Sequence, residues 1–314
     1  MALQSSGQIS LKNIADEFND SAPHKLSEFR GKGSIPASGQ AKISQMYGAS
    51  NAVFFSATGG SVQTIGDYKI HTFTSSGTFA VQTAGNSAGS NTVEYLVIAG
   101  GGGGGGPAGA GGGAGGMRSG SGLSGFSDST NYTITIGGGG GGGGGGWGSS
   151  GSSGSSSSLG SLVSCTGGGY GAGGDVAGTI SGGSGGSGGG GSCRGSGGSA
   201  VSGEGYAGKS RGTYCGSENC YHGSGGGGAG GNTSTPFTAR GQSASNSISG
   251  SSVAYARGGH GGLDGFSGIC SGVANSPRQS GQANRGDGGD AGNTYGQGGQ
   301  SGGSGIVIIK YKYQ

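Results

Sequence analysis

Glycine recurring in a three-residue register is the feature that most limits how this chain can fold. The register runs through Gly100, Gly103, Gly106, Gly109, Gly112 and Gly115, then Gly182, Gly185, Gly188 and Gly191, then Gly259, Gly262, Gly265 and Gly268. Three residues per turn is the repeat of an extended, polyproline II-like helix. A residue without Cβ at each inward position lets neighbouring backbones touch. Ordering glycine costs about 1–2 kcal/mol of backbone entropy per residue, and no side chain is buried in return. Backbone N–H to C=O bonds, at about 1 kcal/mol net, and Cα–H to O contacts, at about 0.5–1 kcal/mol, are what can offset it. The tracts therefore order only when several pack together; singly they are flexible linkers. What brackets them favours order. Tyr132-Thr133-Ile134-Thr135-Ile136 leads into ten glycines at 137–146, and the apolar run Ile306-Val307-Ile308-Ile309-Lys310-Tyr311 follows the last tract.

Composition removes several classes. Five prolines in 314 residues fall far below the roughly 15–20% of a collagen triple helix. Sixteen basic against 13 acidic residues, net +3 and scattered, give no electrostatic footprint for nucleic acid. No apolar run reaches the roughly 18 residues of a membrane span, and the N-terminus lacks a charged start and apolar h-region. A soluble protein not exported by that route is expected. Cys165, Cys193, Cys215, Cys220 and Cys270 have irregular spacing and read as mostly free thiols of a reducing cytoplasm. Cys215 and Cys220 could close a small loop after release into oxidising surroundings. His24, His71, His222 and His260 lie far apart, with no nucleophile or carboxylate constellation. No catalytic residue, metal or cofactor is expected, and the chain does not read as an enzyme.

Three regions follow. Residues 1–50 begin with Ser10 as N-cap and Leu11, Ile14, Ala15 and Phe18 on one helical face. Lys25-Leu26-Ser27-Glu28-Phe29-Arg30-Gly31 is echoed by Lys42-Ile43-Ser44-Gln45-Met46-Tyr47-Gly48, each a helical turn stopped by glycine. So small a module is marginal alone. It is expected to dock on another protein through Leu11, Ile14, Phe18, Leu26, Phe29, Ile43, Met46 and Tyr47. Residues 51–99 with 306–314 form a β-sandwich base, with strands at 52–56, 68–74, 77–81 and 93–99. The 93–99 run and the 306–313 run are expected to pair in one sheet. Residues 100–305 are a giant glycine-rich insertion of packed polyglycine II helices with long loops. The fold class is thus mainly β with polyglycine II, carrying a small helical N-terminal module.

The loops at 117–131, 147–165, 201–222, 232–257 and 269–285 hold Tyr, Phe, Arg and His among Ser and Gly. That is the composition of adaptable recognition loops, where rigid aromatics supply contact area at low entropy cost. Two motifs carry less. Gly203-Glu204-Gly205-Tyr206-Ala207-Gly208-Lys209-Ser210 spells a phosphate-binding loop, but no strand precedes it and no helix follows to aim amides at phosphate. Asp287, Asp290 and Asn293 recur every third residue. They would share one face of a threefold helix, and a solvated face is the favoured reading over Ca²⁺, which wants six to eight oxygens.

Gln8-Ile9-Ser10-Leu11-Lys12-Asn13-Ile14 and the two echoes resemble the N-terminal segment of tailed-bacteriophage virion proteins. The series Tyr68-Lys69-Ile70-His71-Thr72-Phe73-Thr74-Ser75-Ser76-Gly77-Thr78-Phe79, Val93-Glu94-Tyr95-Leu96-Val97-Ile98-Ala99-Gly100-Gly101 and Gly302-Gly303-Ser304-Gly305-Ile306-Val307-Ile308-Ile309 is similar to glycine-rich phage tail-fibre and tail-tip proteins. The resemblance implies a virion-attached adhesin, made in the host cytoplasm, that contacts the host surface. It extends to distal tail-fibre adhesins whose polyglycine II helices present variable loops, although the helical module and β base depart from those. The expected partners are a phage tail or fibre protein at the N-terminal module and a bacterial surface glycan or outer-membrane protein at the loops. Trp147, Tyr206, Arg211, Tyr214, Tyr221, Phe237, Arg240 and Tyr255 are the expected receptor contacts. A structural fibre or decoration subunit, forming homo-oligomers through glycine faces, is the alternative. An antifreeze role would need a flat, regular face that long irregular loops argue against.

Overall fold

A computed structural model describes Leu3, residues 9–18, 29–32, Ile35, Ser38, and residues 50–174, 179–210, 222–232, 239–263 and 278–314. Helix α1 (Leu11–Glu17) starts where Ser10 and Asn13 cap each other: the Ser10 side chain accepts from the Asn13 N–H, and the Asn13 side chain accepts from the Ser10 N–H. Ile14, Phe18 and Phe29 then pack with Leu3, Ala15 and Ile35 into a small core. This corrects the docking expectation for those three side chains, because burial among themselves removes them from a partner's reach. Leu11 is 36% exposed. Leu26, Ile43, Met46 and Tyr47 lie outside the described residues.

The fold is mainly β, with antiparallel sheets and this one short helix among the described residues. Strands β1 (Ser56–Thr58), β2 (Ser61–Ile65), β3 (Tyr68–Phe73), β4 (Gly77–Thr83) and β5 (Val93–Ile98) come first. Next are β6 (Met117–Leu123), β7 (Thr130–Thr135), β8 (Ser157–Leu159) and β9 (Val163–Cys165). The short β10 (Thr179–Ile180), β11 (Ser192–Cys193), β12 (Ala244–Asn246) and β13 (Val253–Tyr255) precede the long β14 (Ile306–Lys312). One five-stranded sheet has the order β1-β4-β7-β8-β9, the other β2-β3-β14-β5-β6.

Strand β14 is central to the second sheet, with Val307 opposite both Phe73 and Val97. The expected pairing of the 93–99 and 306–313 runs is what forms. Alternate residues of β5 and β14 serve two cores. Val97, Val307, Ile309 and Tyr311 meet Phe55, Phe73, Phe79, Ile134 and Leu159 between the sheets. On the opposite face Leu96, Ile98, Ile306 and Ile308 meet Ala114, Ile248 and Tyr255, the last two from the β12–β13 hairpin region. Burial on both faces explains why these two strands read as nearly unbroken apolar runs.

Strand β7 takes up most of the Tyr132-to-Ile136 run, but strands β6, β8 and β9 lie where long loops were expected, at 117–131 and 147–165. Their Ser- and Gly-rich sequences carry too little apolar alternation to register; β6 is Met-Arg-Ser-Gly-Ser-Gly-Leu with its middle five residues exposed. Exposed β2, Ser-Val-Gln-Thr-Ile, escaped for the same reason.

Candidate functional site

Beyond the sheets, strand β5 runs straight into residues 100–106, whose backbone exchanges partners with a period of three. The N–H groups of Gly100, Gly103 and Gly106 donate to Ser155, Ser152 and Ser149 carbonyls at 3.0, 2.9 and 2.7 Å. Those of Gly101 and Gly104 donate to Gly303 and Gln300, and those of Gly102 and Gly105 to Gly113 and Ala110, all at 2.9 Å. The carbonyls follow the same rule. Gly100 and Gly103 accept from Gly168 and Gly171, Gly101 and Gly104 from Gly140 and Gly143, Gly102 and Gly105 from Gly289 and Gly292. One extended tract is therefore bonded to six neighbouring tracts.

Such contact leaves no room for side chains. A Cβ on Gly102 would stand 2.1 Å from the Gly169 oxygen, on Gly103 2.0 Å from Gly141 O, and on Gly104 2.2 Å from Asp290 O. Glycine is thus required at every position here, rather than at each third position as the register suggested. In the flanking tract 137–146, a Cβ on Gly137 or Gly139 would meet a carbonyl oxygen at 2.0 Å, but on Gly138 or Gly141 it would meet nothing within 4 Å. Along 149–155 only Gly151 and Gly154 are hemmed in, by Gly103 O and Gly100 O at 2.3 and 2.1 Å, and serine fills most of the rest. The glycine content of a tract follows the number of neighbours it touches.

Residues 73–312 match the family described as a glycine-rich domain. The chain belongs to that family. The match begins in β3 and ends in β14, so the glycine-rich domain comprises most of the sandwich together with its bundle and omits the N-terminal module. Comparison with curated proteins gives no match.

Three carboxylates are buried where the glycine-rich domain lacks a backbone partner. Asp290 accepts from the His260 and Gln279 N–H groups at 2.8 and 2.7 Å and from Arg240, through Nε at 3.1 Å and through Nη2. Asp287 accepts from the Arg257 N–H at 3.0 Å, with the Arg257 guanidinium 3.8 Å away. Burial pushes the Asp287 carboxyl above its ordinary value, and the Arg257 backbone bond and charge pull the other way. Glu204 accepts from the Thr166 N–H at 2.8 Å and from Arg118 Nε at 3.1 Å. The expected wet face is corrected: Asp287 and Asp290 are only 5% and 3% exposed, because each serves as an acceptor inside the bundle. Glu204 likewise puts a buried negative charge within the phosphate-loop lookalike, whose backbone continues as a bonded tract rather than a helix.

Two other titratable groups are structural. His71 lies between the sheets, with Nδ1 2.7 Å from Gly59 O and Nε2 3.0 Å from the Tyr311 hydroxyl, and burial pulls its imidazole below the ordinary value. The Cys165 thiol donates to Val97 O at 3.2 Å and is pushed up to about 12, first by burial and then by the Glu204 charge, so it is unreactive.

Of the expected receptor residues, the four that are described do not converge. Trp147 sits on the turn at the end of tract 137–146 away from the sandwich, its ring 6.3 Å from Tyr295. Tyr295 is 70% exposed; a single tyrosine in a Gly/Gln/Asn stretch gave no signal in the sequence. Tyr206, 48% exposed, lies at the sandwich end beside β6, next to Glu204, whose carbonyl accepts from the Met117 N–H at 3.0 Å. Arg240 is committed to Asp290. Tyr255 is buried at 3% in the second core, with the Arg285 guanidinium 5.2 Å from its ring, so it faces no ligand. Arg211, Tyr214, Tyr221 and Phe237 lie outside the described residues.

Proposed function

We propose that the chain is a virion protein of a tailed phage, at the tail fibre or tail tip, that binds a host-surface glycan or outer-membrane protein through loops held by a polyglycine II scaffold. The single observation that carries this reading is the six-neighbour bonding of residues 100–106, with partners changing every third residue. A threefold extended helix offers backbone groups in three directions per turn, and a bundle of such helices is stiff without a large hydrophobic core. Stiffness matters for a tip: loops on a rigid scaffold bind with less ordering cost. The Trp147–Tyr295 pair, standing at the bundle end, has the character of an aromatic anchor. The N-terminal module attaches the protein to the phage tail, and the mature protein resides in the virion.

The test is adsorption. Virions carrying Trp147→Ala with Tyr295→Ala should assemble in normal number but adsorb to host cells about tenfold more slowly, the loss of an aromatic anchor. Normal adsorption would overturn Trp147 and Tyr295 as the receptor anchor, and absence of the chain from purified virions would overturn the proposal.

A second reading is favoured by a specific observation. Gly138 and Gly141 are exposed and have open space where a side chain would stand, yet they are glycine. A structural subunit that packs this tract against another copy would need them so.

A further inference from the structure

The outer face of the second sheet carries an open groove that the adhesin reading above does not use. Two cavities, of about 450 and 810 Å³, adjoin at Tyr95 and Ser119 and follow β6 from the Glu94–Lys310 pair to Tyr206. The β12–β13 hairpin forms one wall and residues 202–206 line the far end. Both volumes lie within the roughly 300–1,000 Å³ of small-ligand sites.

The chemistry of the lining is selective. Ser119, Ser121, Ser247 and Asn246 offer hydroxyl and amide groups that both donate and accept. The charges cancel in pairs. Lys310 Nζ is 3.1 Å from Glu94 and Arg118 Nη2 is 3.1 Å from Glu204. Among the described lining residues no surplus charge remains to hold an acidic polymer or a phosphate, and no continuous apolar floor remains for a lipid. A ligand rich in hydroxyls, with an apolar C–H face to lay on an aromatic ring, answers both conditions. Tyr206 supplies that ring, half exposed at the far end, its backbone held by bonds to Gly228 O at 3.2 Å and from Gly188 N at 3.1 Å. A ring carried on a bonded backbone beside hydroxyls carried on a strand leaves only side-chain rotation to be ordered on binding.

We propose that this groove binds a neutral oligosaccharide segment of a bacterial surface polysaccharide. The proposal rests on the receptor-binding reading but puts the sugar at the sheet, not at the bundle end. It is tested with the purified full chain on an array of neutral and acidic bacterial oligosaccharides. Wild type should bind neutral members. Ser119→Trp and Ser121→Trp, at exposed β6 positions, should each weaken that binding about tenfold or more by filling the groove, with unchanged thermal unfolding. Tyr206→Ala should weaken it comparably, and Trp147→Ala with Tyr295→Ala should leave it intact. Binding to no neutral member, binding only to acidic ones, or full binding by Ser119→Trp would overturn the proposal. So would capture of an extended peptide along the β6 edge that displaces the glycan. Virions with Ser119→Trp that adsorb normally, while the Trp147/Tyr295 variant does not, would overturn the groove as the receptor site and leave the adhesin reading standing.

Discussion

At Gly102 and Gly141 the same residue type has opposite reasons for being there. Gly102 lies among six tracts, and a methyl group at its Cβ would stand 2.1 Å from a backbone oxygen that is itself hydrogen-bonded in place. Gly141 has nothing within 4 Å of that position. Gly102→Ala should therefore lower the free energy of unfolding by about 1–3 kcal/mol or more, as overpacking does. Gly141→Ala should leave it unchanged or raise it by about 0.4–1 kcal/mol, because alanine restricts the unfolded chain. Denaturant unfolding of the two variants decides; equal losses would mean that close backbone contact is not what places glycine here. Asp287 and Asp290 make a related point. A carboxylate can replace a missing carbonyl partner only where an arginine offsets its charge, and Arg257 and Arg240 stand beside them.

A tract is specified by phase rather than by side chains. Because consecutive residues of 100–106 address different neighbours, inserting one glycine after Gly103 would aim every later N–H and C=O at the wrong tract. Three inserted glycines would restore the phase and only lengthen the tract toward its turn at Pro107. The single insertion should therefore lower the midpoint of thermal unfolding more than the triple one, a reversal of the usual expectation that longer insertions do more harm. If the triple insertion proves the worse, threefold phase is not what selects partners. Strand β14 is specified differently. Its apolar residues fill both cores, so hydrophobic burial rather than phase locks it between β3 and β5.

For the molecule as a whole, order in the bundle should follow bonding rather than hydrophobicity. Hydrogen exchange should show the amides of residues 101–105, each with a carbonyl acceptor, protected nearly as well as those of β5 and β14. The Gly141 N–H, which has no acceptor among the described residues, should exchange rapidly in the isolated protein. Uniformly fast exchange across residues 100–116 would remove the rigid scaffold and the proposed adhesin with it. Slow exchange of Gly141 only within assembled particles would favour packing between copies.

The threefold glycine register, the apolar β5 and β14 runs and the helix start at Ser10 were readable in the sequence, since each is a periodicity or a cap that local chemistry imposes. Only the tertiary structure decided that residues 100–106 lie at the centre and 137–146 at a flank, or that β6 to β9 complete the sandwich. It also buried Tyr255, turned Arg240 toward Asp290 and left Tyr206 exposed beside a polar groove. The physical reason is that glycine and serine carry almost no shape or hydrophobic pattern with which to choose a neighbour. In this chain the choice is made by backbone groups, identical at every residue, once turns and sheets have set where each tract can lie.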